Sequence, residues 1–148
     1  MPAIAIRRIE SDLPSDFDAL IRAAEAEEVR NMRLRSAGWA SGEQRFDGDG
    51  AALFGAFDNG QLVGIGGVTP EDRLAEPAMR MRRFYVLPTA RRCGAGRQLA
   101  RAAMERGFAA ASVLTCNARA TPLAAPFWEA MGFSPVSLPA VTHICRKS

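Results

Sequence analysis

Cysteine and histidine are scarce in this 148-residue sequence: Cys93, Cys116 and Cys145 are odd in number and far apart, with no Cys-x-x-Cys pair, and His143 is the only histidine. That scarcity speaks against a disulfide framework and against a zinc site, and it makes a reducing cytoplasm the expected compartment. Long apolar runs are missing too. The N-terminus carries no apolar stretch of signal-peptide length, and no uncharged run, Gly107 to Ala118 and Ala130 to Cys145 included, is long enough to span a bilayer, so no membrane partner is expected. Lysine is nearly absent, with eighteen Arg against one Lys and a formal charge of +3. The resulting pI near 9.1 suits phosphorylated ligands. No basic run interleaved with aromatics reaches the length of a nucleic-acid surface, and neither internal repeats nor low-complexity tracts occur.

What is present fits one domain over residues 1–148, because 48% apolar content at this length supports a single core. Ile4, Ile6 and Ile9 suggest a first strand, and Ser15 or Asp16 can cap a helix with Phe17, Leu20, Ile21 and Ala24 on one face, running to about Glu28. Val29 to Ala37 reads as a second helix ended by Gly38. Trp39 to Gly50 is rich in turn residues and reads as an exposed loop, either a connector or a lip beside a site. Ala51–Phe57 and Gln61–Thr69 form a hairpin across Asp58, Asn59 and Gly60. Gly64, Gly66 and Gly67 thin its second strand, through a bulge, a close backbone approach or tight packing. Glu71 to Pro77 reads as a charged connector. Further on, Ser112–Cys116 is strand-like, Leu123–Met131 helical, and Phe133–Val136 with Val141–Cys145 a closing pair of strands.

The stretch from Met79 to Arg106 holds the most chemistry. Phe84, Tyr85, Val86 and Leu87 have strand character, Pro88 stops sheet pairing, and strong helix formers run from Gly96 onward. Gly94 and Gly96 therefore sit where the first backbone N–H groups of a helix lack intrahelical partners, and their missing side chains let a bulky anion approach. A helix start ordinarily attracts carboxylates, yet Arg91, Arg92, Arg97 and Arg101 crowd this one and the first acid is Glu105. Those cations imply a phosphate ligand; a solvated basic face in an arginine-rich chain explains them equally well. The turn ends Gly-Arg-Gln, without the Gly-Lys-Ser or Gly-Lys-Thr of a nucleotide-hydrolysing P-loop.

Arg91-Arg92-Cys93-Gly94-Ala95-Gly96 resembles the pyrophosphate-binding motif of the GCN5-related N-acetyltransferases (GNAT family), placed after a strand and before a helix as in that family. Ala125 to Phe133, with Phe127, Trp128, Gly132 and Phe133, is similar to the family's second, aromatic-rich motif. The resemblance implies an α/β fold with a mixed central sheet of about seven strands, about four helices, and central strands that splay to admit acetyl-CoA. It implies cofactor contacts from Phe84, Tyr85 and Val86 through their backbone, from Arg91, Arg92, Cys93, Gly94, Ala95, Gly96 and Arg97 at the pyrophosphate, and from Asn117, Thr121 and Trp128 nearer the thioester. Partners would be acetyl-CoA and an amine acceptor; a homodimer is compatible with the sequence, and no metal is called for.

Three family residues are replaced. Trp128 stands where many members have a sulfur-protonating tyrosine, and Arg80 where some have a basic glutamate; Thr121 replaces an asparagine. Trp128 can equally be core packing. Tyr85 and His143 are the remaining weak candidates for catalysis, each with an ordinary structural alternative, and Asn117 could orient an acyl carbonyl or simply make a turn. The expected function is acetyl transfer from acetyl-CoA to a primary amine of a small molecule or protein. The alternative is a non-catalytic acyl-CoA sensor with the same fold.

Overall fold

The two-residue loop Asn59-Gly60 has both residues at positive φ, 52° and 83°, which joins its flanking strands with the twist a tight hairpin requires. In the computed structural model, which describes residues 4–9, 17–26, 50–119 and 122–147, these strands are β2 (Ala52–Asp58) and β3 (Gln61–Glu71). Around them stand β1 (Ile4–Ile9), β4 (Ala78–Val86), β5 (Val113–Cys116), β6 (Ser134–Leu138) and β7 (Val141–Arg146). They form one seven-stranded mixed sheet in the order β1-β2-β3-β4-β5-β7-β6. Pro135 lies on β6, an edge strand, where a missing N–H costs no ladder bond.

The helices are α1 (Phe17–Ala26), α2 (Ala95–Ala110) and α3 (Ala124–Ala130). Side chains alternate across each strand, so Leu53 and Ala52 serve opposite faces. On one face, Phe17 and Leu20 of α1 bury against Leu53, Leu62, Ile65 and Tyr85. On the other, Leu99, Ala100 and Ala103 of α2 pack with Ala52, Ala56, Val63 and Val68, and Trp128 of α3 joins the same layer. Gly66 explains its own presence: a Cβ there would lie 2.3 Å from the Phe84 ring, and one at Gly64 3.0 Å from Val86, so these two glycines of β3 mark close approach. None of these helices is long and apolar enough to cross a membrane.

Among the described strands only the β4–β5 pair is parallel, since α2 carries the chain back between them. Their pairing is brief: Met79↔Leu114 and Arg80↔Thr115, and then the strands part. Just beyond, β4 spends three residues where β3 spends two, Tyr85 and Arg82 facing Ile65 and Gly67. Such a bulge bends its strand and re-aims the residues after it, which suits a strand leaving its neighbour.

Two expectations change. Glu71 is not the start of a charged connector but the buried last residue of β3. A 3-10 helix, Pro88–Cys93, precedes the glycine turn, because Pro88 presets φ for a tight first turn. Three α-helices occur among the described residues; the helix read over 29–37 and the loop from Trp39 as far as Asp49 lie outside them.

Candidate active site

Gly94 does two jobs at once. With φ 81° and ψ 9° it ends the 3-10 helix in the left-handed conformation and starts α2, with no side chain capping the new helix. The first α2 bond runs from Gln98 N to Gly94 O at 3.0 Å, so the N–H groups of Ala95, Gly96 and Arg97 are left to the helix end. No acid occupies that first turn. Space is open around Gly94, where a Cβ would meet only the Gln98 Nε2 at 3.8 Å. Gly96 is closer to its surroundings, facing Phe127 and Val86. The end of β4, the start of α2 and α3 thus converge on one spot, and it fits a diphosphate: uncapped donors, the positive end of a 16-residue helix, and arginines at its rim.

The sequence-predicted residues distribute unevenly around this spot. Arg91 is exposed; its Nε donates to Val86 O at 3.0 Å, and its guanidinium stands 5.5 Å from the centre of the Tyr85 ring. Cys93, Ala95 and Arg97 lie in the turn itself, as does the backbone of Arg92, whose side chain is outside the description. Phe84 meets Trp128 of α3, ring centres 4.8 Å apart and nearly perpendicular. Tyr85 is instead a buried member of the α1-face core. Asn117 is exposed, its Oδ1 accepting from Arg119 N in a local turn. Thr121 lies outside the described residues.

Trp128 is buried and ringed by aromatic edges, with Phe127 at 5.0 Å and Phe133 at 5.1 Å besides Phe84. His143, also buried, has both ring nitrogens engaged: Nδ1 with Thr142 Oγ1 and Nε2 with Glu129 Oε2, each at 2.8 Å. It ties β7 to α3. Among the described residues, no group of His, Cys, Asp and Glu could hold a metal ion. Beside the cradle, Arg97, Arg101, Met104 and Phe108 of α2 face Ala130 and Met131 across a groove of about 390 Å³.

The inner end of the parted strands carries a polar cluster that sequence reading missed. Glu71 Oε1 accepts from Arg80 Nη1 at 3.0 Å and from the Thr115 hydroxyl at 2.7 Å, spanning β3, β4 and β5 at their last shared rung. Its Oε2 takes Arg73 N at 3.1 Å and Arg73 Nη1 at 3.3 Å. A signal was available: the strand pattern of β3 could have been extended by two residues past Thr69, which would have put Glu71 beside the central strand. Burial pushes the Glu71 carboxyl up, but the hydrogen bonds from Thr115, Arg73 and Arg80, with the Arg80 charge, outweigh it and hold the group below the usual carboxylate range. Next to this cluster, burial pushes the Cys116 thiol up to about 12, an effect the Arg80 charge only partly offsets. Cys116 therefore remains a neutral thiol and a poor nucleophile.

Because the folded-state pKa of Glu71 is depressed, its contribution to stability is present above the unfolded value and is lost as pH falls through the folded one. Glu71→Gln should thus destabilise the protein at neutral pH by about 1.5–3 kcal/mol, the worth of hydrogen bonds to a charged group. The gap between variant and wild type should close on acidification below the ordinary carboxylate range. Denaturant unfolding of both proteins across that range checks this; a gap independent of pH would contradict it.

The model of the acetyltransferase (GNAT) family matches residues 12–133. Among solved structures, a candidate acetyltransferase from Exiguobacterium sp. 255-15 is 27% identical, with 97% of this chain and 93% of that one covered and a TM-score of 0.81. A GNAT-family acetyltransferase from Staphylococcus aureus Mu50 shares the fold at 16% identity, with 99% and 100% covered and a TM-score of 0.75. An acetyltransferase from Streptococcus agalactiae 2603 does so at 14% identity, with 97% and 98% covered and a TM-score of 0.75. No curated protein matches in sequence. A family model spanning most of the chain, together with a sheet whose central strands part beside a glycine-capped helix, establishes that this chain belongs to the acetyltransferase (GNAT) family.

Proposed function

We propose that this chain transfers an acetyl group from acetyl-CoA directly to an amine. The observation that carries the reading is a coincidence of place: the uncapped start of α2 stands at the end of β4, the strand that leaves β5 after two rungs. Backbone N–H groups of Ala95, Gly96 and Arg97 would hold the diphosphate, and the α2–α3 groove with Arg97 and Arg101 would take the nucleotide end. The β4 edge beyond Arg80, unpaired with β5, would bind the amide-bearing arm as an added strand does, although the Val86 carbonyl already accepts from Arg91. When bound, acetyl-CoA supplies a thioester whose carbonyl carbon an amine attacks, the C–N bond forming as C–S breaks and a proton passing from nitrogen to sulfur. Cys116, held as a neutral thiol, favours this single displacement over an acyl-cysteine route.

Neither Trp128 nor the ion-paired Arg80 offers the acid or base that these positions would supply, so alignment and water take their place. The same two residues favour a second reading, an acyl-CoA sensor that retains the cradle. Free-thiol release from acetyl-CoA across a panel of amines tests the proposal. Turnover on at least one amine class supports transfer; acetyl-CoA binding with no thiol release from any supports the sensor.

A further inference from the structure

Arg80 is over 90% buried, at 8% residual exposure, yet its guanidinium is only partly used. Of its five N–H donors, those on Nη1 meet Glu71, and the others have no hydrogen-bond partner among the described residues. Charge is out of balance as well. Glu71 is shared by two guanidiniums, Arg80 and Arg73, so one carboxylate answers two cations. The Glu71 side chain is wholly sealed, whereas Arg80 keeps a tenth of its side chain accessible. The opening therefore belongs to the cation.

Its position gives that opening a use. Arg80 and Thr115 form the last rung before β4 and β5 part, and the Arg80 charge is felt at Cys116, the end of β5. Met79 and Met81 point into the layer shared with α2 and α3, so alternation turns Arg80 to the other face of the sheet. A thioester lying between the parted strands, with its phosphates at α2, would be reached by an acceptor from that other face, the one on which α1 packs.

Building on the transfer reading, we propose that Arg80 forms a subsite for a carboxylate carried by the acceptor, making the acceptor an amine that also bears a carboxylate. A guanidinium fork with Glu71 fixing one arm presents the other in a set orientation, and its planar donors match a carboxylate. Glu71 acts as the positioning residue. Burial narrows the choice to a small planar anion.

The test compares wild type, R80Q and R80K on pairs of acceptors, each an amino acid and its carboxamide, by kcat/KM, with acetyl-CoA affinity measured by calorimetry on every variant. Wild type should favour the carboxylate over the carboxamide by at least about tenfold, as expected for a charge-assisted hydrogen bond. R80Q should bring that ratio near one, and R80K, which keeps the charge but not the fork, should recover part of it. Equal use of both members by wild type, or a ratio unmoved in R80Q that still binds acetyl-CoA, would overturn the subsite. A preference for succinyl-CoA over acetyl-CoA that R80Q removes would place the carboxylate on the acyl group and overturn the acceptor assignment. Should R80Q fail to fold, R80K alone decides through the same ratio. Thiol release from no amine, with acetyl-CoA bound, would overturn the transfer reading itself and this inference with it; release from carboxylate-free amines alone overturns only the inference.

Discussion

Gly94→Val is expected to weaken acetyl-CoA binding by about tenfold to a hundredfold or more, the loss of one or two charge-assisted hydrogen bonds from the backbone. Gly94 stands at φ 81°, where a β-branched residue is an outlier costing about 1–3 kcal/mol, so the chain would relax away from the geometry that aims the α2 N–H groups outward. The new side chain would also project into the open space that a diphosphate needs. Gly96→Ala is the companion variant. Its Cβ would rest at ordinary contact distance from Phe127, 3.5 Å, and Val86, 3.7 Å, so any loss there reports crowding of the ligand and not strain in the protein. Titration calorimetry, with circular dichroism to confirm folding, checks both. Undiminished affinity in folded Gly94→Val would contradict the cradle.

Trp128→Ala should cost about 3–5 kcal/mol of stability, the range for emptying a large aromatic site in a core. Three edge-on ring contacts, to Phe84, Phe127 and Phe133, would go with it, and the first of them joins β4 to α3. Chemical denaturation measures the loss. Trp128→Tyr separates packing from chemistry. Were protonation of the departing sulfur limiting, a phenol placed there could raise turnover by roughly a hundredfold or more. The expected outcome is level or lower turnover, since the surrounding rings are fitted to an indole. Single-turnover kinetics would decide, and a large gain in the Tyr variant would show that this site lacks an acid it once could use.

The frame of the site was legible because local chemistry forces it. Asn59-Gly60 can tolerate the positive φ of a hairpin, Pro88 ends a strand, and Gly94 caps a helix, and each stands where the sequence places it. Trp128 as packing comes from the same local logic. What escaped depends on contacts distant in sequence. Glu71 looks like one charge in a charged connector; only the pairing of β3 with β4 and of β4 with β5 brings it to Arg80 and to Thr115, forty-four residues away. His143 and Glu129 likewise meet only once α3 folds onto β7. Tyr85, a weak catalytic candidate in the sequence, is placed in the core by packing with residues of α1, β2 and β3. Alternation along β4 shows which residues share a face, but not what packs on that face.

The most direct measurement of the central claim is a pair of titrations on the unaltered protein, one with acetyl-CoA and one with acetyl-pantetheine, the same thioester cut off before the diphosphate. A cradle built from the start of α2 predicts saturable one-to-one binding of acetyl-CoA and affinity for the truncated thioester weaker by at least about a hundredfold, the worth of several charge-assisted hydrogen bonds. Equal affinity for the two, or no binding of acetyl-CoA at all, would contradict it.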